Sequence, residues 1–122
     1  MQPPVKVLQA RFYVSKSGRQ PVREWLMEMT REDRQTIGED IKTLEYCWPV
    51  GMPRCRAIKG VRHMYEVRSN ISDGRTARVL FLLNGGQMVL LHGFLKKSQA
   101  LPQHELEVAV GRMKEVLSHV LH

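Results

Sequence analysis

Basic residues, which can bind phosphates and other anions, are concentrated in one segment of the sequence. Residues 54–97 hold nine lysines and arginines against Glu66 and Asp73, a net charge of +7 that equals the net charge of all 122 residues. Arginine carries planar, forked N–H donors that match phosphate oxygens, and lysine adds a compact positive charge. The segment therefore predicts a surface that attracts polyanions or acidic partners. The nine residues are Arg54, Arg56, Lys59, Arg62, Arg68, Arg75, Arg78, Lys96 and Lys97.

Two of these arginines are expected to face each other across a β-hairpin. A two-residue turn at Asp73-Gly74 would send Arg68 and Arg78 to opposite faces of the sheet. A three-residue Ser72-Asp73-Gly74 loop, with Gly74 in the left-handed conformation, places Arg68 across from Arg78 and Glu66 across from Leu80. We favour this second register.

Facing guanidinium groups repel each other, so a negative charge must lie near them. Glu66, diagonally opposite Arg78, can neutralise one arginine in a surface salt bridge. A phosphate can instead satisfy both arginines at once. The sequence leaves these two interpretations open.

The elements that position these residues follow from periodicity and turn chemistry. Strands are predicted at 7–14, 54–58, 63–69, 75–83 and 87–94, and loops at 48–53, 59–60, 70–74 and 84–86. One helix begins at Pro21, and Thr30 caps either a second helix or a bend in the first. A closing helix begins at Pro102 and carries an apolar stripe that ends at Leu121.

The predicted fold class is α+β, with the helices covering one face of a mainly antiparallel sheet. Residues 1–122 are expected to form a single domain, because the length and the 43% hydrophobic content suit one core. No apolar run approaches the roughly 20 residues of a membrane span, and the N-terminus lacks a signal peptide, so we expect a cytoplasmic protein without membrane contact. Cys47 and Cys55 are predicted to be unpaired thiols, and the scattered histidines indicate no metal site.

Several strings in order along the chain resemble the RelE-like toxins of type II toxin–antitoxin systems, and most of all the HigB-type, phage-derived branch. They are YEVR at 65–68, RVLF at 78–81 and LLHGFLKKSQALP at 90–102, together with PVREWL at 21–26 and RAIKGVRHMYEVR at 56–68. The resemblance covers nearly the whole chain. It implies the RelE-like fold, in which two N-terminal helices and a C-terminal helix pack on a curved, mainly antiparallel sheet.

The resemblance also implies a function. Such toxins block translation, usually as endoribonucleases that cut messenger RNA on the ribosome, and a cognate antitoxin, commonly a helix-turn-helix protein, neutralises them. No cofactor is implied. Two alternatives stay open, namely a ParE-like inhibitor that acts on DNA gyrase by contact, and a basic RNA-binding module without activity.

Site residues are carried over position by position. Arg78 matches the family arginine linked to phosphate contact, Arg68 a basic residue on the preceding strand, and Lys96 and Lys97 the basic cluster after the last strand. Glu66 stands where RelE has a lysine, and the later tyrosine of RelE has no counterpart here.

Metal-free cleavage of RNA needs a base, an acid and charge stabilisation at the phosphorane. Arg68, Arg78 and Lys97 would supply the charge. His92, Glu66 or a lysine with a lowered pKa would move protons, although His92 between Leu91 and Phe94 also fits a structural histidine. Residues expected to follow an RNA or ribosomal backbone are Arg54, Arg56, Lys59, Arg62 and Arg75.

Overall fold

The computed structural model describes residues 4–97 and 99–120, and it contains the predicted elements in the predicted order. Leu121, the predicted end of the apolar stripe, lies outside the described residues. The elements are β1 (Gln9–Phe12), α1 (Pro21–Met27), α2 (Arg31–Cys47), β2 (Cys55–Ala57), β3 (Met64–Asn70), β4 (Thr76–Asn84), β5 (Gln87–Leu95) and α3 (Gln103–Val120).

The five strands form one sheet in the order β1-β5-β4-β3-β2. Three of the four pairings are antiparallel, and β1 lies parallel to β5 at one edge. The mainly antiparallel sheet is therefore confirmed. No helix within the described residues has both the length and the apolar character needed to cross a membrane.

The hairpin of β3 and β4 has the favoured register. Arg68 pairs with Arg78, and Glu66 pairs with Leu80. The connecting turn at Ser72–Gly74 is a single 3₁₀ turn in which Asp73 and Gly74 both have positive φ angles, 59° and 68°. Asp73 and Gly74 are residue types that tolerate this conformation, so the local sequence specifies which side chains share a face.

Thr30 separates the two N-terminal helices. Its hydroxyl accepts a hydrogen bond from the backbone N–H of Asp33 at 3.2 Å, which satisfies a free donor in the first turn of α2. Pro21 opens α1, where its missing N–H costs nothing. The interpretation with two helices is therefore confirmed, and a single bent helix is wrong.

The helices cover both faces of the sheet, so the expectation that they cover one face is wrong. Val79 packs in a core with buried residues of α1 and α2, whereas its neighbour Leu80 packs in a second core with Ala109 and Met113 of α3. Consecutive strand residues point to opposite faces. The run of apolar residues at 79–83 is typical of a strand buried on both sides, and that signal indicates a second layer.

Gly93 on β5 permits α1 to approach the sheet. A Cβ atom at this position would lie within 2.9 Å of three ring atoms of Trp25, which is partly buried against the first core. Real Cβ atoms do not approach so closely. The indole therefore occupies the space that any other residue at position 93 would fill.

We predict that Gly93→Ala lowers the free energy of unfolding by about 1–3 kcal/mol, because the added methyl group displaces the Trp25 ring. Gly38→Ala is the matched control. Gly38 is exposed within α2 with open space around it, so this change should stabilise the protein by about 0.5–1 kcal/mol. Urea denaturation followed by circular dichroism measures both, and a stabilising Gly93→Ala contradicts the packing argument.

Candidate functional site

The strand registers bring four basic side chains and one carboxylate together on the face that α3 covers. Arg56 on β2 pairs with Glu66 on β3, and Arg68 pairs with Arg78 on β4. Lys96 directly follows β5, and its backbone N–H donates to the carbonyl of Thr76 at 2.8 Å. We call this group the cationic cluster, consisting of Arg56, Arg68, Arg78 and Lys96 around Glu66.

A buried ion pair lies at the centre of the cationic cluster. Nε of Arg78 donates to Oε2 of Glu66 at 2.7 Å, and Nη2 of Arg78 lies 2.7 Å from the same oxygen. The two side chains are 1% and 0% exposed, and the guanidinium lies 5.6 Å from the ring centre of Phe94. Glu66 therefore neutralises Arg78, which was one of the two interpretations of the sequence. That interpretation placed the salt bridge on the surface, and this part is wrong, because the pair is fully buried.

The other oxygen of Glu66 faces a second arginine. Oε1 lies 3.3 Å from Nε of Arg56, close enough for an ion pair, but the two atoms are not aligned for a hydrogen bond. Nη1 of Arg78 is buried and has no hydrogen-bond partner among the described residues. A buried donor without a partner is costly, so Nη1 is an unsatisfied group at the centre of the cationic cluster.

Positive charge exceeds negative charge in the cationic cluster, and the pKa of Lys96 is affected by its environment there. Its pKa is lowered, first by partial burial and then by the charges of Arg68 and Arg78, while Glu66 opposes the change. Arg56, Arg68 and Lys96 are each partly exposed, so solvent reaches the cluster around the buried pair. An anion placed there would relieve the repulsion among these cations.

The remaining basic residues divide into two groups. The first group is exposed to solvent and consists of Arg54, Lys59, Arg62 and Lys97. Within it, Nε of Arg54 lies 3.7 Å from a carboxylate oxygen of Asp40 on α2. Arg75 has a different environment.

Nη2 of Arg75 donates to Asp33 at 2.8 Å, and Asp33 also accepts from the N–H and the hydroxyl of Ser72. The pKa of Asp33 is lowered mainly by the backbone N–H of Ser72. Arg75 therefore helps to fasten the β3–β4 turn to the first turn of α2, and the structure does not bring it into the cationic cluster.

His92 connects β5 to α3. Its Nε2 lies 2.9 Å from a carboxylate oxygen of Glu105, and its Nδ1 lies 3.4 Å from Nη1 of Arg112. Arg112 in turn donates to the carbonyl of Leu91 at 2.8 Å. Sequence reasoning missed Glu105 and Arg112, although their spacing of seven residues places them on the same side of a helix. These contacts favour a structural role for His92.

The cysteines are free, as expected. Burial, followed by the charge of Glu66, raises the pKa of Cys55 to about 11. A thiol with so high a pKa is a poor nucleophile at neutral pH. In the described part of the chain, no group of three or more His, Cys, Asp or Glu residues is placed to hold a metal ion.

Comparison with known families bears on this arrangement. The family model described as "Phage derived protein Gp49-like (DUF891)" matches residues 24–114. The chain belongs to this Gp49-like family. The match includes every residue of the cationic cluster, and the Gp49-like family is associated with toxin–antitoxin systems. No curated protein matches the chain.

The buried ion pair of this Gp49-like protein can be tested by stability. We predict that Glu66→Gln lowers the free energy of unfolding by about 3–5 kcal/mol, because a neutral amide leaves the buried Arg78 charge uncompensated. Asp40→Asn, which breaks the partly exposed pair with Arg54, should cost less than about 1 kcal/mol. Urea denaturation measures both variants, and equal losses contradict the central position of the buried pair.

Proposed function

We propose that the chain is the toxin of a type II toxin–antitoxin system, a single RelE-like domain of the HigB type that acts in the cytoplasm. It inhibits translation as an mRNA endoribonuclease that needs the ribosome, and a cognate antitoxin, of the helix-turn-helix type, neutralises it. The observation that carries the proposal is the cationic cluster, where four basic side chains surround a single buried carboxylate. Membership of the Gp49-like family supports it.

The cationic cluster suits the scissile phosphate of an RNA strand. Arg56, Arg68 and Lys96 are accessible, and a phosphate group brings further negative charge to a cluster in which four cations face one carboxylate. The buried Glu66–Arg78 pair lies beneath these accessible groups. In this arrangement Arg56, Arg68 and Lys96 contact the phosphate, exposed Lys97 reaches it from the position after Lys96, and Glu66 and Arg78 are positioning residues.

Cleavage then proceeds by transfer within the RNA. A base removes the proton of the 2′-hydroxyl, the 2′-oxygen bonds to phosphorus, and the bond from phosphorus to the 5′-oxygen breaks. The products are a 2′,3′-cyclic phosphate and a 5′-hydroxyl, whose proton comes from a general acid. Arg68 and Lys97 stabilise the charge of the pentavalent state, and comparable donors contribute about a hundredfold to a thousandfold in rate.

Lys96 is the best candidate for proton transfer. Its lowered pKa increases the fraction of neutral amine, and that amine can accept the 2′-hydroxyl proton. Both ring nitrogens of His92 contact side chains of α3, namely those of Glu105 and Arg112. We therefore assign proton transfer to Lys96 and the fastening of α3 to His92.

The partners follow from the same charges. Exposed Arg54, Lys59 and Arg62 extend the positive surface beyond the cationic cluster and suit the phosphate backbone of ribosomal RNA or mRNA. Such contacts position a nucleic acid without reading its sequence. The ribosome would orient the message, so free RNA is a poor test of activity.

The nuclease activity is tested by inducing the protein in cells and mapping the 5′ ends of messages. We predict that the wild type arrests growth and produces 5′ ends inside codons, and that Arg68→Ala and Lys97→Ala each reduce the cutting about a hundredfold. Lys42→Ala, which removes an exposed cation on α2, is the matched control and should cut as the wild type does.

Two results would overturn this proposal. Intact messages during growth arrest exclude a nuclease, and arrest accompanied by DNA-damage signalling indicates the gyrase inhibitor instead. Growth without arrest, at full protein expression, excludes a toxin.

Lys96 offers a separate test, because its charge opposes folding. A lysine whose pKa falls on folding destabilises the folded state while it is protonated, and the penalty disappears only as the pH rises above the ordinary lysine pKa. We predict that Lys96→Gln abolishes cutting and leaves the melting temperature at pH 7 equal or higher. A lower melting temperature contradicts the repulsion that we describe.

A further inference from the structure

A polar groove of about 610 Å³ opens beside the cationic cluster. Its walls are Thr36 and Asp40 of α2, the loop at 50–53, and the residues Arg54, Arg68 and Asn70. Its volume lies within the range of about 300–1,000 Å³ that is typical of small-molecule sites. The function proposed above uses Arg54 and Arg68 from its lining but assigns no part of the RNA to the space between the walls.

The groove exists because β2 is short. β2 pairs with β3 only from Tyr65 to Val67, and one further hydrogen bond joins Arg68 to Arg54, so Asn70 at the end of β3 has no β2 residue beside it. The chain reaches β2 through the loop at 50–53, which lies on the other side of the space.

Arg68 belongs to both the groove and the cationic cluster. It lines the groove, and its charge contributes to the lowered pKa of Lys96. Its backbone N–H also donates to the carbonyl of Arg54 at 2.8 Å, which ties the two walls together. A phosphate held by Arg68 in the cluster would place the adjoining nucleoside at the mouth of the groove.

The groove combines an apolar wall with hydrogen-bonding groups. Val50, Met52 and Pro53 offer apolar surface, and Met52 is 70% exposed. Asp40 presents a carboxylate that is 21% exposed, and Arg54 at 3.7 Å is the one charged partner found for it among the described residues. A flat ring with N–H donors on its edge matches this combination.

On this basis, we infer that the groove holds the nucleobase next to the scissile phosphate and favours guanine. Guanine has two neighbouring donors on its Watson–Crick edge, the N1–H and the exocyclic amine, and a carboxylate has two oxygens to accept them. Adenine, cytosine and uracil each have a single donor group on that edge. Asp40 is then a specificity-determining residue. The inference rests on the proposed nuclease function.

The experiment compares cut sites in cells that express the wild type, Asp40→Asn or Glu39→Gln, with 5′ ends mapped across all messages. We expect the wild type to cut next to guanine more often than next to other bases. In Asp40→Asn, the ratio of cuts beside guanine to cuts beside other bases should fall about tenfold, because an amide cannot accept both donors. Glu39→Gln makes the same chemical change one residue away, outside the groove, and should keep the wild-type ratio.

The outcomes separate the two proposals. Intact messages in the wild type overturn the nuclease function and this inference together. Cutting by the wild type without a preference for guanine overturns this inference alone. An unchanged ratio in Asp40→Asn, or an equal fall in Glu39→Gln, also overturns it while the nuclease function stands.

Discussion

The ion pair between Glu66 and Arg78 constrains the rest of the structure. Two charges with almost no solvent exposure are tolerated only when they pair closely, because removing ions from water is expensive. The pairing requires β3 and β4 to keep one register, and that register depends on the Ser72–Gly74 turn. A slip of either strand by one residue would move its own charged side chain to the other face of the sheet and separate the pair. The pair thus connects a local turn to the site.

The face of the sheet under α3 has an apolar part and a charged part, which follow one another along the strands. On β4, Leu82 and Leu80 contribute to the core with α3, and Arg78 follows them on the same face. On β5, Phe94 is still buried and Lys96 is partly exposed. The apolar part secures the helix, and the charged part begins where that core ends. Each strand therefore contributes to both stability and the site within about six residues.

The sequence predicts the elements well because their signals are local. The positive φ angles at Asp73 and Gly74 set the hairpin register, and Thr30 marks the start of α2. The burial of Arg78 could not be predicted, because the groups around it, Glu66 and Phe94, come from two other strands. The helix layers on both faces were missed, although the apolar run in β4 carried that information.

The candidate site was predicted in part. The basic residues at 56, 68, 78 and 96 meet because strand pairing is regular, which periodicity can describe. The ion pair of Arg75 with Asp33 and the groove beside Asp40 depend on how α2 packs on the sheet. Such contacts between elements have no local pattern, so a linear sequence does not reveal them.

The burial of Glu66 and Arg78 also limits how the sequence can change during evolution. Losing Glu66 leaves the buried Arg78 charge uncompensated, and losing Arg78 leaves Glu66 with only the partly exposed Arg56, whereas replacing both by apolar groups of similar volume can preserve stability. Positions 66 and 78 are therefore expected to be inherited as one unit, substituted together or not at all. Arg56, which is partly exposed, is freer to vary. Relatives of this chain should record the pair as a correlated change.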